Sequence, residues 1–184
     1  MAGQTLFRGF GPIAIVCTGL LAVVLGVAQQ LMPGMLASSQ IEFLMVWVFA
    51  TVIASVFVTA HMFFRARSLH GTQSGAMLNR LFEQLIPPVF VTLVVTIVFV
   101  EIAIDAINAL PGIWLLLAAL ASFSMASSLG NRMRMVGIWY LVSGSTVLVL
   151  GLQQPETVLS PWLLAIPFLI GQLSMAAVLI HESR

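Results

Sequence analysis

Charge is what this chain has least of. Seven basic and six acidic residues in 184 make it 7% charged, and it contains no lysine. A soluble domain carries roughly 25% charged residues, because its surface must be solvated by water. This chain cannot cover itself in that way, so most of its surface has to face something apolar. The formal net charge of +1 gives nucleic acid no electrostatic footing. A single cysteine, Cys17, excludes an internal disulfide framework and a CxxC redox pair. With three histidines and scattered carboxylates beside it, no metal, haem or other cofactor is expected. Neither HExxH, GxSxG nor a phosphate-cradling glycine loop occurs, so nothing points to an enzyme.

What the chain has is long hydrophobic runs. It is 60% hydrophobic, with a mean hydropathy of +1.11. A membrane-crossing helix uses about 20 residues, and the runs fall at Pro12 to Met32, Ile41 to Phe64, Pro87 to Ile107, Ile113 to Leu129, Val136 to Leu152 and Trp162 to Ile180. The expectation is an all-α integral membrane bundle of six spans filling one domain, residues 1–184. The run from Ile13 to Ala28 exceeds the roughly 7–15 residues of a signal-peptide core, so it reads as a retained span. Pro12, Pro87 and Pro161 stand near expected helix starts, where a missing N–H costs least. Pro88 and Pro167 fall inside expected helices and predict bends.

Arginine sets the orientation. With six spans and a cytoplasmic start, Arg8, Arg65, Arg67, Arg80, Arg132, Arg134 and Arg184 all fall inside. Chance placement gives such one-sidedness about once in 64 trials, so the positive-inside rule decides. Both termini are then cytoplasmic, as in a multi-pass protein of a bacterial inner membrane. Trp114 and Trp162 on the outer side, and Trp139 on the inner, stand where interfacial anchors belong, as do the four central arginines. Before the third span, Met77, Leu78, Leu81, Phe82 and Leu85 share one helical face. That pattern fits a short amphipathic helix in the interface, or equally an extension of the span itself. A faint parallel repeat, at an offset of 67, matches Trp47 to Trp114, Ser55 to Ser122, Arg65 to Arg132 and Arg67 to Arg134.

The stretch from Phe82 to Leu150 carries Ile86-Pro87-Pro88, Leu110-Pro111-Gly112-Ile113-Trp114 and the arginine-bearing turn to Gly137. It resembles small bacterial multi-span membrane proteins of uncharacterised activity, in which an LPG[IL]W segment follows a proline-led helix. The resemblance implies a helical membrane fold and no activity.

Two groups of residues are candidates for function. Glu101 is the deepest acidic residue and Asp105 lies one helical turn further. Together with Gln172 and Ser174 they could line a polar cavity holding a proton or cation. Ala118, Ser122, Ala126 and Gly130 recur every fourth residue, a small-residue stripe suited to close helix packing within the chain or between copies. His61, one turn before Arg65, reads as an interface residue. The favoured class is a non-catalytic membrane module: a subunit, scaffold or regulator working through helix contacts, with lipid, a second copy or another membrane protein as partner. The alternative is a small transporter or channel using Glu101, Asp105 and Gln172.

Cysteines placed at Arg67 and at Arg132, in a Cys17→Ser background, test the topology. A membrane-impermeant thiol reagent should label both from the same face of sealed vesicles; labelling from opposite faces contradicts the arrangement.

Overall fold

The computed structural model describes residues 12–70, 74–153 and 160–182. Among them every regular element is a helix and no strand occurs. In chain order they are α1 (Pro12–Leu31), the single turn α2 (Pro33–Leu36), α3 (Gln40–His70), α4 (Ser74–Glu101), a 3-10 segment (Ile104–Ala109), α5 (Leu110–Leu129), α6 (Met133–Gln153) and α7 (Trp162–Glu182). Five of the helical stretches are long and apolar enough to cross a membrane, and Ile86–Glu101 is a shorter apolar helix. Such a set marks an integral membrane protein, because in hydrocarbon only a helix or a closed barrel satisfies its own backbone.

Neighbouring long helices run antiparallel, so one end of the bundle collects Arg65, Arg67, Arg80, Arg132 and Arg134. We call it the arginine end. The core is built from α1, α5, α6 and α7, joined by Phe43, Leu44 and Trp47 from the first turns of α3 and by Ile107 of the 3-10 segment. Helix α1 buries Ala14, Ile15, Thr18, Gly19, Ala22, Gly26 and Gln29, a stripe at three- and four-residue spacing. Gly19 and Gly26 on that stripe lie against Gln172 and Ala165 of α7. Helices α5 and α6 approach more closely still. A methyl group built at Gly112 would sit 2.5 Å from the backbone nitrogen of Leu148, and one built at Gly144 would sit 2.9 Å from that of Leu116. Lipid tails are as apolar as leucine, so these contacts are held by packing and not by expulsion of water.

Beyond Trp47, α3 leans on this core, and so does α4. Only 17% of the α3 span is buried, against 50% for the stretch Ile104–Ser127. Large apolar side chains such as Phe49, Val56, Val94 and Ile97 are exposed, as a lipid-facing surface requires.

One expected helix end changes. The third helix ends at Glu101 and not at Ile107. Its final turn widens, with the Ala103 amide donating to the Val98 carbonyl, and the chain then tightens into the 3-10 segment. Of the two readings of the segment before the third span, the extension is the one that forms: α4 is continuous from Ser74 through Pro87 and Pro88 to Glu101. The side chains of Met77, Leu78, Leu81, Phe82 and Leu85 lie outside the described residues. Pro167 lies within α7, as expected from its place in the sixth run. Arg8, Glu156 and Arg184 also lie outside the described residues, as do the side chains of Arg65, Arg67 and Arg80.

The α5–α6 contact generates a prediction. Gly112→Ala should destabilise the protein by about 1–3 kcal/mol through overpacking. Gly34→Ala, where nothing lies within 4 Å of the new methyl group, should have little effect. Thermal unfolding in mild detergent compares the two.

Candidate functional site

Among the described residues, every buried side-chain nitrogen and oxygen except Nδ1 of His61 has a hydrogen-bond partner. At the end of the bundle away from the arginines, Gln29 of α1 accepts a hydrogen bond from the Trp47 indole of α3 at 2.8 Å. Its amide nitrogen donates to the carbonyls of Leu36 and Phe43, at 3.2 and 3.3 Å. One amide thus ties α1, α2 and α3 together. The second hairpin repeats the device: the Trp114 indole of α5 donates to the Thr96 hydroxyl of α4 at 3.0 Å. Each indole reaches back 18 residues, so the offset of 67 that matches the tryptophans also matches Gln29 to Thr96. Sequence reading singled out the tryptophans but missed Gln29. The available signal was its position three residues beyond Gly26, on the same buried face of α1.

Between the leaning pair α3–α4 and the core opens a cavity of about 570 Å³. Ile15, Thr18 and Ala22 of α1, Trp47 of α3 and Met125 of α5 form its buried floor. Phe168, Gln172 and Met175 of α7 complete that side. Thr51, Ser55 and Thr59 of α3, with Ile86, Val89, Phe90 and Leu93 of α4, line it and are exposed, so the cavity opens sideways through the bundle surface. Its lining is overwhelmingly apolar. The hydroxyls of Thr18 and Thr51 donate to the carbonyls of Ile15 and Trp47 within their own helices. Ser55, Thr59 and Gln172 are the other polar side chains in the lining. The space is suited to hydrocarbon.

The expected site residues separate. Gln172 lines the cavity, and its side chain is also a hydrogen-bonding partner of Tyr140 on α6. Ser174 is half-buried and is not part of the lining. Glu101 and Asp105 are both exposed and lie outside the cavity, at the end opposite the arginines. They do not share one helical face either, because α4 ends at Glu101 and Asp105 begins a different turn geometry. Among the described residues, no three of His, Cys, Asp and Glu gather closely enough to hold a metal ion.

The small-residue stripe lies inside. Ser122 is 1% exposed and Ala126 9%, Ala118 is half-buried, and Ser122 donates to the Ala118 carbonyl. The centre of the stripe is therefore covered by the chain's own helices. Gly130 has a different reason to be glycine: it caps α5 with a φ of 94°, a conformation that side-chain-bearing residues rarely adopt. Among the expected anchors, Arg132 and Arg134 are exposed at the α5–α6 turn, and Trp162 is half-buried. Trp139 donates to the carbonyl of Pro167 at 3.0 Å, joining α6 to α7, a bond that an interfacial anchor does not require.

His61 stands where the cavity face of α3 meets the arginine end, one turn beyond Val58. Its ring lies near Phe57, with centroids 6.3 Å apart. Its Nδ1 is enclosed and has no hydrogen-bond partner among the described residues.

No known family model, curated protein or solved structure matches this chain.

Replacing Gln29 by leucine strands the Trp47 N–H while keeping the side-chain volume similar. The expected cost is about 1–3 kcal/mol. The double variant Gln29→Leu with Trp47→Phe should recover part of it, as a double-mutant unfolding cycle would measure.

Proposed function

We propose that this chain is a non-catalytic integral membrane module, and that its working surface is the lateral cavity between α3–α4 and the core. In this reading six helices cross a bacterial inner membrane, and the arginine end and both termini face the cytoplasm. The module acts by holding an apolar partner in the plane of the bilayer. The observation that carries this is the chemistry of the cavity: a sideways-opening space with an overwhelmingly apolar lining, whose one buried hydroxyl, that of Thr18, is bonded to its own helix. A surface of that kind recognises shape and apolarity, and performs no proton or electron transfer.

The second reading, a small transporter or channel, draws support from Gln172, which places an amide on the cavity wall. It draws less from Glu101 and Asp105, which are exposed and outside that wall. Coupled transport ordinarily rests on ionisable groups buried near the midplane.

Sealed vesicles containing the purified protein distinguish the two. The module reading predicts proton and cation leakage equal to that of protein-free vesicles. It also predicts that Glu101→Gln changes nothing. A flux that the protein creates, and that Glu101→Gln or Gln172→Leu reduces about tenfold or more, would establish the transporter instead.

A further inference from the structure

The cavity and the residues at its arginine end point to one kind of occupant. Three features have to be met together. The space is enclosed in depth by Ile15, Ala22 and Met125 but open sideways past Phe90, which is 63% exposed. It is therefore filled from the plane of the bilayer and not from water. Its volume of about 570 Å³ sits in the roughly 300–1,000 Å³ range of small-molecule sites. That suits a single flexible chain more than a whole helix, whose diameter is about 10–12 Å. At the arginine end the chemistry changes: the half-buried His61 follows the last lining residues of α3, Val58 and Thr59, by two to three positions. Both helices forming the open wall carry their positive residues beyond that point, Arg65 and Arg67 on α3 and Arg80 on α4. An apolar slot that ends in a histidine and a run of arginines complements a molecule with a hydrocarbon tail and an anionic head. Basic sites between helices at a cytoplasmic surface bind phospholipid headgroups on this basis.

We propose that the cavity seats one acyl chain of an anionic phospholipid, with its phosphate at the level of His61. The proposal rests on reading this cavity as the working surface, and it supplies the partner. The hydrocarbon tail fills the slot between α3, α4 and the α1–α7 floor. The phosphate lies at the level of the half-buried His61, one turn past the cavity lining on α3. The arginines set the preference for negative charge.

The test uses the full chain in bilayers of phosphatidylcholine containing a minor fraction of phosphatidylglycerol, which carries a photoreactive group in its acyl chain. After illumination and digestion, adducts should concentrate at Ala54, Val58 and Met175. They should exceed those at the lipid-facing residues Val24 and Phe49 by about tenfold. Ala54→Phe, which fills the slot, should abolish the enrichment. Ile53→Phe, on the exposed face next to it, should not, and it controls for any general effect on folding. His61→Leu should keep the cavity adducts but lower the preference for phosphatidylglycerol over phosphatidylcholine by several-fold, as competition with unlabelled lipid reads. Adducts spread evenly over cavity and outer faces in the unaltered protein would overturn the proposal. So would equal losses in the two phenylalanine variants, or a polypeptide cross-linked in the cavity in native membranes. That last outcome leaves the module reading standing with a different partner. An ion flux through the same cavity, blocked by Ala54→Phe, would remove the module reading itself.

Discussion

A polar group inside hydrocarbon must find its partner within the protein, since the surroundings offer none. Nearly every feature of this structure follows from that constraint. The backbone satisfies itself by forming helices. Thr92, Thr96, Ser122, Ser143 and Thr146 return their hydroxyls to carbonyls one turn back. Indoles reach other helices instead: Trp47 and Trp114 each donate to a polar side chain on the preceding long helix, and Trp139 donates to the Pro167 carbonyl of α7. These bonds fix which helices meet and at what height, and packing of glycine against backbone does the rest.

The same constraint separates the core from its surroundings. Where α5 and α6 meet, small residues let backbones touch, and no polar group has to be spent on association. Where α3 and α4 lean outward, the contact is looser, and the surface stays apolar because lipid is the solvent there. The gap between these regimes is the cavity. Its position explains its chemistry. It lies within the apolar length of the helices, so its walls are hydrocarbon, and it ends where His61 and the arginines begin.

Much of this was legible in the residues. The helices and most of their boundaries could be read from hydrophobic runs, because a spanning segment has to be apolar over its whole length whatever it packs against. The repeat at an offset of 67 was visible through Trp47 and Trp114, although its physical content, the matching bonds to Gln29 and Thr96, was not. Sidedness inside the bundle was harder to read. A lipid-facing leucine and a core leucine look alike when the solvent is itself apolar, so no periodic pattern tells the cavity face of α3 from its outer face. For the same reason Glu101, Asp105 and Gln172 could be grouped by depth in the sequence but not by azimuth around the bundle. Gly130 shows the converse: the every-fourth-residue spacing suggested packing, while a backbone turn with positive φ supplies the reason.

The central claim is that hydrocarbon, and not water, occupies the face of α3 turned toward the core. Spin labels placed singly at Phe49, Ser55 and Val56 in a reconstituted bilayer measure this through collisions with oxygen and with a water-soluble nickel chelate. The account predicts that Ser55 behaves like the lipid-facing positions, with high oxygen and low chelate accessibility. High chelate accessibility at Ser55, with Phe49 and Val56 remaining lipid-like, would mean a water-filled passage and would contradict it.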